Sequence, residues 1–194
     1  MVVKQIKKFI LFVFASIITL ILSQNSTTSK NSKYEKYMVT IYRDTWGVPH
    51  IFGEKDRDTA YGLGFAHAED DFETIQNILL ASRGKLAKFF GSKAAPNDYM
   101  VKLLDIWDIV NSNYSTLPSD IVEICEGYAD GINHYIDLNP KKAVKGIHPI
   151  TGKDIIAGFI HRMPLMFGLE KTLGKLASNK KINNQTPTVS TLNG

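Results

Sequence analysis

Between residues 38 and 83 the spacing of apolar residues changes from that of a strand to that of a helix. Val39 and Ile41 alternate with Thr40 and Tyr42, the period of a half-buried strand. Val48, Ile51 and Phe52 make a second β-rich run. Asp44-Thr45-Trp46-Gly47 lies between the two runs. Gly47 offers the turn, and Pro49 confines the second run to an edge or a bulge. This pattern predicts a hairpin. Tyr61, Phe65, Ala68, Phe72, Ile75 and Leu79 then step by three or four, which places them on one helical stripe. Asp58 is expected as the N-cap and Gly84 as the terminator. Gly62 and Gly64 inside this helix cost about 1 kcal/mol each relative to alanine. Glycine there suggests that another backbone packs close.

Leu86, Phe89 and Phe90 form a short helical turn between two glycines. The segment from Ala94 to Asp98 reads as a loop capping a helix. That helix is faced by Met100, Leu103, Leu104 and Trp107 and runs to about Asn111. Pro118-Ser119-Asp120 opens another, with Ile121, Ile124, Cys125, Tyr128, Ile132, Tyr135 and Ile136 on its buried side and Asn139-Pro140 at its end. Lys141 to Pro149 is a basic loop. Thr151 and Asp154 form a capping box. The helical pattern from Ile155 to Leu176 contains Pro164, which is expected to kink it. The fold class is therefore α+β: mostly helical, with one N-terminal β-hairpin. An isolated hairpin is marginal in water, so its edges want partners and the unit reads as part of something larger.

The two ends have a different character. Lys4, Lys7 and Lys8 precede an apolar stretch from Phe9 to Leu22, and Ser23 is small, the pattern of a secretory signal peptide. The stretch is short for a membrane span; an uncleaved anchor is the alternative. The pattern implies a secreted or periplasmic protein with no stable membrane anchor after cleavage. Residues 24–36 read as a polar tether, 37–177 as the folded domain and 178–194 as a polar spacer. Charge matters only after this division. Three of the 23 basic residues fall in the leader and none of the 19 acidic ones do. Twenty basic residues then face nineteen acidic ones, a net of about +1, so the basic balance does not argue for nucleic acid. No clustered Lys/Arg face with interleaved aromatics is visible. Cys125 is the single cysteine; it excludes a disulfide within the chain and reads as a small buried apolar residue.

A search for chemistry in the residues themselves finds little. His67, Glu69, Asp70 and Asp71 are ligand types, but residues two apart on a helix face different ways. His50, His134, His148 and His161 have no metal-ligand spacing with one another. Asp70 and Asp71 read as a solvated or helix-packing pair. There is no Gly-x-Ser-x-Gly elbow and no phosphate loop.

The combined motif carries more. Arg43-Asp44-x-x-Gly47-Val48-Pro49-His50-Ile51, followed by Tyr61-Gly62-x-Gly64-Phe65-Ala66-x-Ala68-Glu69-Asp70, resembles the opening of the α subunit of the penicillin acylase family. That family includes acyl-homoserine-lactone and aculeacin-type acylases, and its members are N-terminal-nucleophile hydrolases. The resemblance implies that the chain completes a four-layer αββα sandwich with a separate β subunit. It also implies an N-acyl amide substrate, either a β-lactam side chain or an acyl-homoserine lactone. The nucleophile would be a serine at the start of the β subunit, so no catalytic residue is expected in this chain. Gly194 would be the residue just before the processing point.

By the same match, the helix around Asp154–Phe167 supplies the acyl pocket, with Met163 and Phe167 facing the acyl group. The alternative is that both are simply core. Met166 stands where penicillin G acylases often have arginine, a departure from phenylacetyl-type recognition. Relatives hold a structural calcium through an acid a few residues past the phenylalanine. That place is taken here by Leu173, which leaves Glu170 as the nearest candidate ligand. No other cofactor is implied. The alternative function is a non-catalytic truncated relative that serves as a binding module.

Overall fold

The computed structural model describes residues 33–177. The expected signal peptide, the polar spacer and Gly194 lie outside the described residues. Strands β1 (Val39–Arg43) and β2 (Pro49–Gly53) pair antiparallel, with Ile41 opposite Ile51 and Arg43 opposite Pro49. Asp44 builds the turn. Its Oδ1 accepts the backbone N–H groups of Trp46 and Val48, each at 2.9 Å. Gly47 supplies a φ of +81°, which an L side chain rarely adopts. Only alternate residues turn inward, as the pleat requires. Val39 and Ile41 face the protein with Ile51, whereas Tyr42 and Phe52 stay exposed.

Helix α1 (Asp56–Ser82) follows at once. It starts earlier than expected. Lys55 occupies the N-cap position in extended conformation, and Asp58 lies buried inside the first turn. The early start leaves only Glu54-Lys55 as the connection from β2. The apolar stripe is present, but Asp71 interrupts it with φ −151° and ψ 70°. Its carboxylate accepts the Thr74 N–H at 3.1 Å, so Asp71 caps a second helical segment within α1. Hydrogen bonds from Thr74 hold that carboxyl below the usual range.

Helices α2 (Leu86–Phe90), α3 (Ala95–Leu103) and α4 (Ile106–Asn113) form a zigzag. The single helix expected over Met100–Asn111 is two. Asp105 takes a left-handed φ of +48° and turns the chain between them, a conformation that Asp tolerates better than most residues. Helix α5 (Ser119–Leu138) then crosses back along α1. Helix α6 (Gly152–Met166) runs through Pro164, and the break falls at Gly168 (φ +86°), before α7 (Leu169–Ala177).

The main core lies between α1 and α5. Ala68, Phe72 and Leu79 meet Ala129, Ile132 and Ile136, and the loop residues Ile147 and Ile150 close one end. Gly64 lets α1 come against the Tyr128 carbonyl. Gly131 of α5 sits on the Tyr61 carbonyl in return, too close for any Cβ. The close backbone approach expected at Gly64 is therefore present. Gly62 instead meets the side chains of Val39 and Ile51, which seats the hairpin on α1. A second, smaller cluster joins Val101, Ile106 and Val110 to Ala157 of α6.

Candidate functional site

Helix α6 carries the residues singled out for substrate contact, and its placement can be traced to buried polar groups. Thr151 and Asp154 form the expected capping box, with the Thr151 N–H donating to Asp154 Oδ2 at 2.9 Å. The other Asp154 oxygen accepts Arg83 Nε at 2.6 Å. This pair is 11% and 4% exposed, so Arg83 reaches α6 from the end of α1 through the interior. The rest of the guanidinium donates to the carbonyls of Ile147 (2.6 Å) and Pro149 (2.9 Å). The five donors of an arginine fork suit this task, which a lysine could not perform. Asn133 of α5 holds the same loop, donating to the Ile150 carbonyl at 2.7 Å and accepting the Ile150 N–H at 2.9 Å. The His148–Pro149 peptide within that loop is cis.

So anchored, α6 packs Ile155, Ile156 and Ile160 against the two cores and presents a second set of large apolar residues to solvent. Phe159, Met163, Met166 and Phe167 are 67%, 51%, 71% and 83% exposed. Phe159, Met163 and Met166 fall on one face by their spacing, and Phe167 caps the helix next to them. Neither Met163 nor Phe167 is core among the described residues. The opposite face is anchored by Ala157 and His161. His161 Nε2 donates to Asn97 Oδ1 at 2.8 Å, and burial holds its pKa below the ordinary value. An open groove of about 460 Å³ runs beside this face, lined by Pro96, Asn97, Met100, Arg162, Leu165 and Met166.

The other candidates are dispersed. His50 lies against Asp44, His67 against the Tyr128 hydroxyl and His148 near Asp137. Glu69 and Asp70 both pair with Arg43 of the hairpin, at 3.0 and 2.8 Å, while Asp71 caps the kink. No group of three or more His, Cys, Asp or Glu among the described residues is placed to hold a metal ion. Glu170, the residue tied to calcium, lies in α7, and its side chain is outside the described residues. Cys125 is buried, and burial pushes its thiol up, away from the reactive thiolate.

One polar cluster has no counterpart in the sequence reading. Residues 33–36 form a turn that folds onto α5, although the segment 24–36 was expected as a tether. Tyr34 is 4% exposed and donates to Asp137 at 2.9 Å. Tyr37 donates to Asp130 at 2.9 Å and stacks on Tyr61. Tyr61 in turn hydrogen-bonds His134, whose pKa burial lowers, and burial with Asp130 pushes the Tyr61 hydroxyl up to about 12. The tyrosines at 34 and 37 within a polar run were the available signal.

Comparison with known proteins gives this arrangement its relatives. The penicillin amidase family model matches residues 38–178. The chain belongs to that family. An acyl-homoserine lactone acylase of Pseudomonas fluorescens (strain Pf0-1) is 29% identical over 104 residues, which is 50% of this chain and 13% of the relative. A penicillin acylase 2 proenzyme of Pseudomonas sp. (strain SE83) is 28% identical over 98 residues, 50% of this chain and 13% of the relative. Among solved structures, a thermostable penicillin G acylase from Alcaligenes faecalis superposes with a TM-score of 0.54 at 26% identity. That match covers 72% of this chain and 81% of the solved one. This family member thus spans only a small part of its curated relatives, yet most of a solved acylase chain. The mostly helical architecture with one hairpin is as expected. Among the described residues, no helix is long and apolar enough to cross a membrane.

Proposed function

We propose that this chain is the α portion of a secreted penicillin-acylase-type amidohydrolase that cleaves N-acyl amides. The observation that carries this reading is the exposed stripe of Phe159, Met163, Met166 and Phe167 on a helix anchored from behind by Asp154, Ala157 and His161. Large apolar side chains on a fixed helix are costly to leave in water and suit an apolar acyl tail or a covering chain. The hairpin adds a second incomplete surface, with Tyr42, Trp46 and Phe52 exposed. Two strands with open edges are ready to extend into a larger sheet, here the four-layer sandwich completed by a β subunit.

In this reading the chain's own residues bind and orient. Met163 and Phe167 hold the acyl chain beside the scissile carbonyl, and the α6 anchors keep them in place. The attacking group is a serine at the start of the β subunit, freed by cleavage after Gly194. Its α-amine titrates near 8 in its ordinary state, so it serves as the base that takes the hydroxyl proton. The amine leaves, and water then releases the acid. The relatives, an acyl-homoserine lactone acylase and a penicillin acylase, point to acyl-homoserine lactones or β-lactam side chains as substrates. Any calcium would be held through Glu170.

The test is expression of the complete reading frame, followed by an assay of acid release from an N-acyl-homoserine lactone and from a penicillin. Two chains, with the second beginning at a serine after Gly194, together with hydrolysis of either substrate, support the proposal. A full-length protein that stays single and hydrolyses neither overturns it and leaves a non-catalytic binding module. Met163→Ala and Phe167→Ala should raise KM for the preferred acyl chain and alter the preference among chain lengths.

A further inference from the structure

We propose that the corner formed by α2 and the outward face of α3 docks onto an anionic lipid surface. The sequence between Lys85 and Leu103 has one acidic residue, Asp98, and four lysines, Lys85, Lys88, Lys93 and Lys102. Folding turns the acid inward. Asp98 Oδ1 and Oδ2 accept the backbone N–H groups of Leu86 and Ala87, each at 2.9 Å, and so hold the start of α2. All four lysines remain exposed. Four apolar side chains stand exposed among them: Phe89 and Phe90 at the end of α2, and Tyr99 and Leu103 on α3. Helix α3 separates two environments. It buries Met100 and Val101 while turning Tyr99, Lys102 and Leu103 outward. No basic face with interleaved aromatics is visible along the chain, because its members are spread over nineteen positions that α2 and α3 fold together.

The chemistry selects the occupant. A basic rim around a few protruding phenylalanine and leucine side chains matches an anionic headgroup layer over an acyl boundary, where the rings insert and the lysines stay with the phosphates. Nucleic acid is disfavoured, because the lysines come without arginine forks and the apolar members include a leucine that has no ring to stack on a base. The proposal does not rest on amide hydrolysis.

The experiment is co-sedimentation of the full-length mature protein with vesicles. One set contains phosphatidylglycerol and phosphatidylethanolamine, the other phosphatidylcholine alone. The expected result is sedimentation with the anionic vesicles only. It should weaken as ionic strength rises from about 0.1 M to about 1 M and the screening length falls from about 10 Å to about 3 Å. The combined Lys85→Glu, Lys88→Glu and Lys93→Glu variant should lose at least about tenfold in partitioning, given the contribution of each lysine near such a surface. Phe89→Ser with Phe90→Ser should also weaken it, chiefly at high salt, where the apolar contact dominates. The lysine substitutions lie at exposed positions, so circular dichroism of that variant should match the parent and keep the test valid if the phenylalanine variant misfolds. Equal binding to both vesicle types, no binding to either, or variants that partition like the parent would overturn the proposal. Amide hydrolysis in free solution is a separate readout, so loss of docking and failure of the acylase reading are distinguishable.

Discussion

Helices α5 and α6 use their apolar residues in opposite ways. Helix α5 puts Ile132, Tyr135 and Ile136 into the core and uses Gly127 and Gly131 to bring its backbone onto α1. Helix α6 buries mainly small or polar residues, Gly152, Asp154, Ala157 and His161, and leaves Phe159, Met163 and Met166 outside. On α5 the large side chains stabilise this chain. On α6 only Ile155, Ile156 and Ile160 pack against the cores, while Phe159, Met163 and Met166 contribute little to the chain's own fold. Size and apolarity alone therefore do not mark the interior; what packs opposite does.

That contrast can be broken from the inside first. Arg83→Leu should produce the largest loss. It strands Asp154 as a buried charge, an effect of about 3–5 kcal/mol for a buried pair cut on one side. A urea unfolding midpoint would read it. Gly131→Ala should cost about 1–3 kcal/mol by the same measurement, because the new Cβ meets the Tyr61 carbonyl and overpacks the helix contact. The same change at half-buried Gly158, where nothing lies within 4 Å of an added Cβ, should be neutral or mildly stabilising.

Acid should separate the regions next. Burial lowers the pKa of both His134 and His161 from the ordinary 6.5. Below that value the unfolded chain binds protons that the folded one refuses, so stability is full at neutral pH and falls as pH drops from about 6.5 toward the folded values. His161→Gln should flatten part of that fall, seen as a smaller shift in midpoint between neutral and mildly acid buffer. The smallest stability effect belongs to the outer face. Met163→Ser or Phe167→Ser should change the stability by no more than about 0.5 kcal/mol, while disturbing acyl preference if the proposed acylase reading holds. A large stability loss there would erase the contrast.

Local rules made part of this structure legible. The alternation of Val39 and Ile41, the turn at Gly47, the α1 stripe and the Thr151–Asp154 capping box all depend on neighbours within a few residues. The close approach at Gly64 was legible because glycine inside a helix needs a reason. The kink at Asp71 and the break at Asp105 were not, because Asp at either position also fits an unbroken helix. Arg83, Asn133 and the tyrosines at 34 and 37 were missed for another reason. Their partners lie 17 to 103 positions away, and no periodicity announces such a pairing. For the outer face, the motif resemblance pointed to Met163 and Phe167, while the residues alone left core and ligand contact equally open.

The Arg83–Asp154 contact also has a mechanical side. Met163 lies nine residues beyond Asp154 on α6, a reach of roughly 14 Å at the helical rise of about 1.5 Å per residue. A tilt of about 5° at the anchored end would swing Met163 by roughly 1 Å, a misplacement that can cost on the order of a hundredfold in rate at a reacting centre. The aim of α6 is thus set from the far end of another helix, and in the proposed acylase, selection for a new acyl chain can act on Arg83 without altering any residue that touches it.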